Sequence, residues 1–427
     1  MKTRWGIWTA VLLVGAFASG ATAQQEQWLR YATSDQLYEA VGSTWGQSAV
    51  PTDKAPEGLA LPAFKSDKPV FILWKVKLDK PPERVAKDGG VWLALDQSRK
   101  GGPYDLLYAD AKVKGSLAEA QPIKAADVQD SFSQGGSLSV SFRQVQFLLP
   151  GPDGPCAYHL SVQYRQRPVQ YLNRVMASAP GVDRSAYLHA AGWYEGDVTV
   201  DGRKLHCVLL DNNANGRFDD SDANSSQCDR IRLAPPGDTS FRDWSTDTTT
   251  RFLGKYVQVS EKLIPVKVAP DGASVTFGKA ETPATGTVRL PAAVDKFSAF
   301  GPVGHLNLEP KDGKVQLPAG VYRIARWQIT RKDAGGALWQ VRENNCTGEP
   351  AFTAAEGKEI ALDFAEPLRW AVSVSKGADG YQINQGVRTR KGDYVTLLRD
   401  GKQPAEPTVR IVSADGAYNR TFNLAYG

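Results

Sequence analysis

The segment Asp211-Asn212-Asn213-Ala214-Asn215-Gly216-Arg217-Phe218-Asp219-Asp220-Ser221-Asp222 sets side-chain oxygens at its first, third, fifth, ninth and twelfth positions, with glycine at the sixth. That is the spacing of a calcium loop. A hard dication takes six to eight oxygens at about 2.3–2.6 Å, and alternate residues of a tightly curled loop can point inward together. Gly216 permits the curl. The expected ligands are the side chains of Asp211, Asn213 and Asn215, the backbone carbonyl of Arg217, Asp219 directly or through water, and Asp222 as closing carboxylate. Phe218 is expected to pack beneath them. Two neutral Asn ligands lower the charge of the set and place the affinity at the weak, extracellular end, with a Kd of about 10⁻⁴ to 10⁻³ M. The competing reading is a polar turn whose carboxylates are solvated.

These twelve positions, and no more of the chain, resemble the loop of an EF-hand and its relatives. Two departures matter. Position twelve is Asp222 where the EF-hand has a bidentate Glu, one methylene longer, so Asp220 or Asp229 is needed to help close the shell. The preceding Lys204–Leu210 run (KLHCVLL) reads as a strand and not as an incoming helix, so the opening motion of a calcium sensor has no machinery and the ion is structural. A wider likeness covers Ala191–Gly196, Val198–Gly202, Val208–Asp220, the Leu317–Tyr322 turn and the Phe-Asn-Leu-Ala-Tyr-Gly end. In these the chain is similar to exported bacterial β-rich proteins of unassigned reaction that carry a D-x-N-x-N-G-x-F-D-D loop after a strand. The resemblance implies calcium binding and export.

The elements that must position this loop are mostly short strands. Val70–Leu78, Val91–Leu95, Ser137–Leu149 and Ala157–Tyr164 show two-residue alternation or short apolar runs bounded by Gly and Pro. Trp193–Val200 and Lys204–Leu210 form a hairpin about Asp201-Gly202, which delivers a strand straight into the loop. Arg251–Val259, Leu263–Val268 and Ser274–Phe277 follow, with a turn at Asp271-Gly272. Only Gln27–Val41, with Trp28, Tyr31, Leu37 and Tyr38 apolar, reads as an amphipathic helix. Further on, Leu317-Pro318-Ala319-Gly320 reads as a type I turn before the alternating Val321–Thr330. After Pro350 come Ile360–Phe364, Arg369–Ser375, Tyr394–Leu398 and Val409–Val412, with turns every 8–12 residues, the spacing of an Ig-like or transthyretin-like sandwich. The expected fold is mainly β, in multi-domain sandwiches. Its expected divisions are a signal peptide (1–23), an N-terminal β-rich domain (24–168), a middle β-domain with the loop (169–282), a β-rich segment (283–349) and a C-terminal sandwich (350–427).

Compartment follows from the first residues. Lys2 and Arg4 precede an apolar run, Ile7 to Phe17, and Ala21-Thr22-Ala23 stands where a signal peptidase cuts. The run is too short to span a bilayer, and no later stretch is long enough, so a secreted or periplasmic chain without a transmembrane segment is expected. Four cysteines in an exported chain favour disulfides. Three pairings are open. Cys207–Cys228 is favoured because it closes a short loop around the Asp/Asn segment, with Cys156 and Cys346 left to pair or stay reduced.

Several functions lack their residues. There is no G-x-S-x-G elbow, no His-Glu-x-x-His, no phosphate loop and no G-x-G-x-x-G. The histidines His159, His189, His206 and His305 are scattered, and His159 and His206 fall inside strands. Net charge drops from +5 to +3 once Lys2 and Arg4 are removed, which gives no footprint for nucleic acid. Trp193, Trp327 and Trp370 sit in alternating strands and are expected in the core. The combined expectation is an exported calcium-binding β-sandwich protein with a structural or ligand-binding role at the cell envelope and no catalytic motif. The alternative is an extracytoplasmic protein that binds, or as an enzyme cleaves, polysaccharide, with a paired-carboxylate site that only the fold could assemble.

Overall fold

The computed structural model describes residues 25–34, 37–42, 44–131, 136–151, 154–168, 182–238, 249–343, 350–376 and 380–424. The expected signal peptide, Cys346 and most of the irregular stretch after Gln170 lie outside them. Nearly every described element is a strand, as the alternation and close-set turns require. Leu138–Gly151 buries alternate residues over most of its length and pairs with Gly154–Pro168, the register slipping once between Leu160 and Val162. Gln144, on the partner strand at that slip, takes a left-handed φ of 52°, as a bulge demands.

Two five-stranded sheets and a four-stranded sheet make the first body. One orders Gln47–Ala49, Val182–Ala190, Gly154–Pro168, Leu138–Gly151 and Asp127–Asp130. Another orders Thr250–Phe252, Arg230–Ala234, Arg203–Leu210, Gly192–Val200 and Arg30–Thr33. The four-stranded sheet runs from Val70–Trp74 to Ile123–Lys124. A twelve-stranded sheet then carries the chain from Glu26–Trp28 at one edge to Arg369–Lys376 at the other. One hydrophobic cluster extends from Leu29 to Phe277, so the division expected near 168 does not divide the core. A second cluster, Val288 to Ala365, lies where Thr285–Arg289, Lys314–Pro318 and Glu359–Ala361 form their own three-stranded sheet. Leu263, before the boundary expected near 282, also packs against this second cluster.

Four expectations are corrected. Gln27–Val41 is not one helix: Glu26–Trp28 pairs with Ser274–Phe277, Arg30–Thr33 pairs with Gly192–Val200, and only Leu37–Val41 is helical. The free edges of two sheets outweigh a helical apolar pattern over this stretch, and Leu29 between them donates its N–H to Ala273 O at 2.8 Å while its side chain enters the core. In place of the expected type I turn, Pro318 ends a strand and the chain bends at Ala319, passing from the three-stranded sheet into Gly320–Lys332 of the long sheet, with Tyr322 Oη donating to Pro318 O at 2.9 Å. The C-terminal strands do not close a sandwich of their own. Arg369–Lys376, Tyr381–Arg388 and Tyr394–Arg399 extend the twelve-stranded sheet, Thr408–Val412 and Asn419–Asn423 form a separate hairpin, and among the described residues after 365 only Thr389 is buried. Trp370 is therefore exposed, whereas Trp193 and Trp327 are buried as expected. No helix among the described residues is long and apolar enough to cross a membrane.

Candidate metal centre

The loop hangs from a strand whose own geometry is well set. Gly192–Val200 and Arg203–Leu210 pair without a slip. Between them Asp201 and Gly202 both take left-handed φ, 48° and 76°, which is the two-residue hairpin turn expected there. The strand ends at Leu210 and the next four residues, Asp211 to Ala214, are all buried. Ala214 and Gly216 curl the chain with φ of 54° and 87°; a Cβ on Gly216 would stand 2.7 Å from Leu149 Cδ1. Phe218 packs beneath, edge-on to Tyr194 at 5.1 Å and to Tyr158 at 6.4 Å between ring centres.

Inside the curl the oxygens form a chain of local contacts. Asp211 Oδ1 accepts from Asn215 N at 3.2 Å, and its Oδ2 accepts from Gly216 N at 2.7 Å and from Tyr158 Oη at 2.8 Å. Asn213 Oδ1 accepts from Asn215 N, and Asn215 Oδ1 from Arg217 N. Each amide oxygen keeps a second lone pair. The amide nitrogens of Asn213 and Asn215 donate to Asp220 Oδ2 at 3.2 and 2.6 Å. Asp229 braces the loop from Arg230–Ala234's leading end: its two oxygens accept from Asn212 N at 3.0 Å and Asp220 N at 2.9 Å.

Of the sequence-predicted ligands, Asp211, Asn213 and Asn215 come together. Asp219 and Asp222 do not join them. The Asp219 carboxylate is held by the Arg217 guanidinium at 2.8 Å through both oxygens, and that guanidinium also grips Asp79. Asp222 is exposed and accepts from Asn224 N at 2.7 Å, at the start of the 3₁₀ turn Ser225–Gln227. The carboxylate facing the loop is Asp220, one residue beyond the expected position. Among the described residues no three of His, Cys, Asp and Glu converge on one point. The donor set is instead two carboxylates and two amides, all of oxygen, the chemistry suited to a hard cation.

Electrostatically the site holds three acids against one close cation. Burial raises the Asp211 carboxyl well above its ordinary value, against the hydrogen bonds from Tyr158, Gly216 and Asn215. Burial, then the charges of Asp211 and Asp220, raise Asp229 further. Asp220 is the exception. Burial works against its ionisation, but hydrogen bonds from Lys77, Asn215 and Asn213 hold it below the usual carboxylate range. Lys77 Nζ lies 2.7 Å from Asp220 Oδ1 and is more than half exposed.

The loop is also where separate parts of the first body meet. Gly46 N donates to Asn212 O at 2.9 Å, and Gln47 Nε2 and Trp74 Nε1 both donate to Ala214 O, at 2.9 and 2.6 Å. Lys77 N donates to Asn215 O at 2.8 Å and Phe218 N to Pro270 O at 3.0 Å. Trp74 is fully buried and stacks on Tyr158, 5.5 Å between centres. Gln47, Trp74, Lys77 and Tyr158 are thus part of the site, and sequence reasoning missed them because each lies more than 50 residues from the loop. A buried Trp and Tyr need partners for their polar tips, which is the only signal that pointed to them.

The expected Cys207–Cys228 disulfide is not formed, and both thiols are free. The two side chains belong to different hydrophobic clusters, Cys207 in the large core and Cys228 beside Phe252 and Phe300. Burial raises the Cys207 thiol, and burial pushes Cys228 up to about 12, so both stay protonated. Comparison of the chain with protein-family models, with characterised proteins and with solved structures finds no match.

Proposed function

We propose that the chain is an exported calcium-binding β protein in which the Asp211–Asp222 loop takes a dication to lock its sheets together, serving a structural or ligand-binding role at the cell envelope. Asp211, Asn213, Asn215 and Asp220 hold the ion, and Asp229 fixes the loop from behind. The ion supplies charge neutralisation and no reaction. The observation behind this reading is that three acidic side chains whose charges would oppose one another, two of them fully buried, gather on and directly behind a loop tied to four other segments of the chain. A hard cation relieves the repulsion and stiffens every tie at once. Export rests on the Lys2/Arg4, Ile7–Phe17 and Ala21-Thr22-Ala23 pattern.

With a Kd of about 10⁻⁴ to 10⁻³ M, 10 mM calcium adds roughly 1.5–3 kcal/mol to the folded state. Thermal unfolding of the mature chain should therefore move to higher temperature with calcium, and that of Asp211→Ala should not. The same shift in both proteins would refute the site.

A cavity of about 360 Å³ beside the loop, lined in part by Lys77, Asp79, Lys80, Arg217 and Asp271, supports the ligand-binding side of the role. Charged residues of both signs suit a polar ligand, and polysaccharide is the class to try first. A glycan array probed with and without calcium tests it; no calcium-dependent binding to any glycan would remove polysaccharide from the reading.

A further inference from the structure

The Arg369–Lys376 strand ends the twelve-stranded sheet. One side pairs with Tyr381–Arg388 over all eight residues, and among the described residues no strand pairs with the other. Exposed edges are ordinarily guarded by an inward charge, a proline, a bulge or extreme shortness. Here the interior, Trp370 to Ser375, contains no charge, proline or glycine and is paired without a slip.

The side chains add a direction. Trp370, Val372 and Val374 share one face and are 53%, 52% and 60% exposed. Opposite them in register stand Val387, Gln385 and Ile383, and Val387 faces Val395, which packs on the second core cluster. The face is thus a continuation of a packed core beyond the layer that covers it. On its other side the sheet is polar, with Ser373, Ser375, Asn384 and Arg388.

Two observations choose the occupant. First, from Pro367 to Gly392 the described residues carry Arg369, Lys376, Arg388, Arg390 and Lys391 and no carboxylate; Asp379 lies outside them. Arg390 is matched by Asp363, whereas Arg369 has no ion pair among the described residues. A second copy pairing edge to edge would set Arg369 against Lys376 if antiparallel, and like against like if parallel. Second, three strands of this length offer a face of roughly 26 Å by 14 Å, on the order of 350 Å². That is under half of the ~800 Å² per partner of an ordinary stable interface. Strand addition binds from a small area, because main-chain hydrogen bonds give affinity and alternate side chains give selectivity.

We infer that the open Arg369–Lys376 edge is a docking site for an extended segment of another protein, apolar at alternate positions and acidic at both ends. The segment adds a thirteenth strand, lays its apolar side beside Trp370, Val372 and Val374, and meets Arg369 and Lys376 with carboxylates.

The test uses the full mature chain and two fluorescein-labelled eight-residue peptides of alternating valine and threonine, one with glutamate at each end and one with lysine. Fluorescence anisotropy should show the glutamate peptide binding at least fivefold more tightly. The double variant Arg369→Glu/Lys376→Glu should reverse that preference, and Val374→Lys should weaken both peptides at least fivefold with the circular dichroism spectrum unchanged. Should Val374→Lys fail to fold, the charge reversal decides alone. Equal binding of the two peptides, no binding of either, or a concentration-dependent dimer of the free chain in sedimentation that Val374→Lys abolishes would each overturn the inference.

Discussion

Residues 29–277 and residues 369–424 are both strand-rich, and they spend their side chains in opposite ways. The first region buries aromatic rings and also buries charge: Asp211 and Asp229 are inaccessible, and so is the Trp74 ring that donates to the loop. The second exposes Trp370, Val372, Val374, Tyr381 and Tyr394 and buries almost nothing. A buried carboxylate is costly unless it is hydrogen-bonded or matched by a cation, so the first region must keep a polar network intact in order to fold. An exposed apolar strand costs the isolated chain little and gains when something covers it. Buried charge in this molecule marks where the fold is tied, and exposed apolar surface marks where it is open to a partner.

The widest gap between the regions is expected from their tryptophans. Trp74→Ala removes a fully buried ring stacked on Tyr158 and leaves a void, at a cost of about 3–5 kcal/mol. Trp370→Ala should change stability by less than ~0.5 kcal/mol, as exposed substitutions do. Urea unfolding of both variants measures the contrast; comparable losses would erase it. Next in size is Asp229→Ala, which strands the Asn212 and Asp220 N–H groups and should cost about 2 kcal/mol. Calorimetry should also show its calcium affinity at least tenfold weaker, although Asp229 is not among the proposed ligands.

How much of this was legible in the sequence differs between the two regions as well. The loop's glycine curl and the Phe218 beneath it follow from spacing within twelve residues, the strand leading into it follows from the Asp201-Gly202 hairpin signal, and all are present. Which acid faces inward was not legible. Asp219, Asp220 and Asp222 are equivalent as letters, and the choice depends on Arg217 taking Asp219 while Asp229 orients the Asp220 backbone. Alternation found the C-terminal strands at Arg369, Tyr394 and Val409 but could not say what covers them, because two-residue periodicity reads the same on a sandwich and on an overhanging sheet. The error at Gln27–Val41 has the same root: an apolar pattern says nothing about which sheet edge is vacant nearby.

Acid should act on the chain ahead of the exposed strands. Burial lowers the imidazole pKa of His159 and His189, and burial with the charges of Arg251, Arg326 and Arg230 lowers that of His305 well below its ordinary 6.5. Below about pH 6.5 the unfolded chain binds protons at these histidines that the folded chain refuses, so their share of the stability is lost as pH falls from there, against the opposite share of Asp211 and Asp229, whose raised carboxyls take up protons in the fold first. His305→Gln should remove up to one proton's share of that slope, about 1.4 kcal/mol per pH unit. An unchanged slope in urea unfolding between pH 6.5 and 5 would mean that His305 is protonated in the fold. The smallest effect is expected at Lys77. Its ion pair with Asp220 is half exposed, so Lys77→Ala should cost less than ~1 kcal/mol. Removing a cation that competes for Asp220 should nonetheless tighten calcium binding severalfold, and weaker binding would place the ion elsewhere.

Hydrogen–deuterium exchange of the mature chain, stripped of metal and then returned to 10 mM calcium, tests the tie between loop and sheets most directly. Calcium should slow exchange together at Gly46, Lys77 and Asp229, whose N–H groups lie on three separate segments and donate into the loop, and at Phe218, whose N–H runs from the loop to Pro270 O. Protection confined to residues 211–222, or none anywhere, would contradict a metal that holds the first body together.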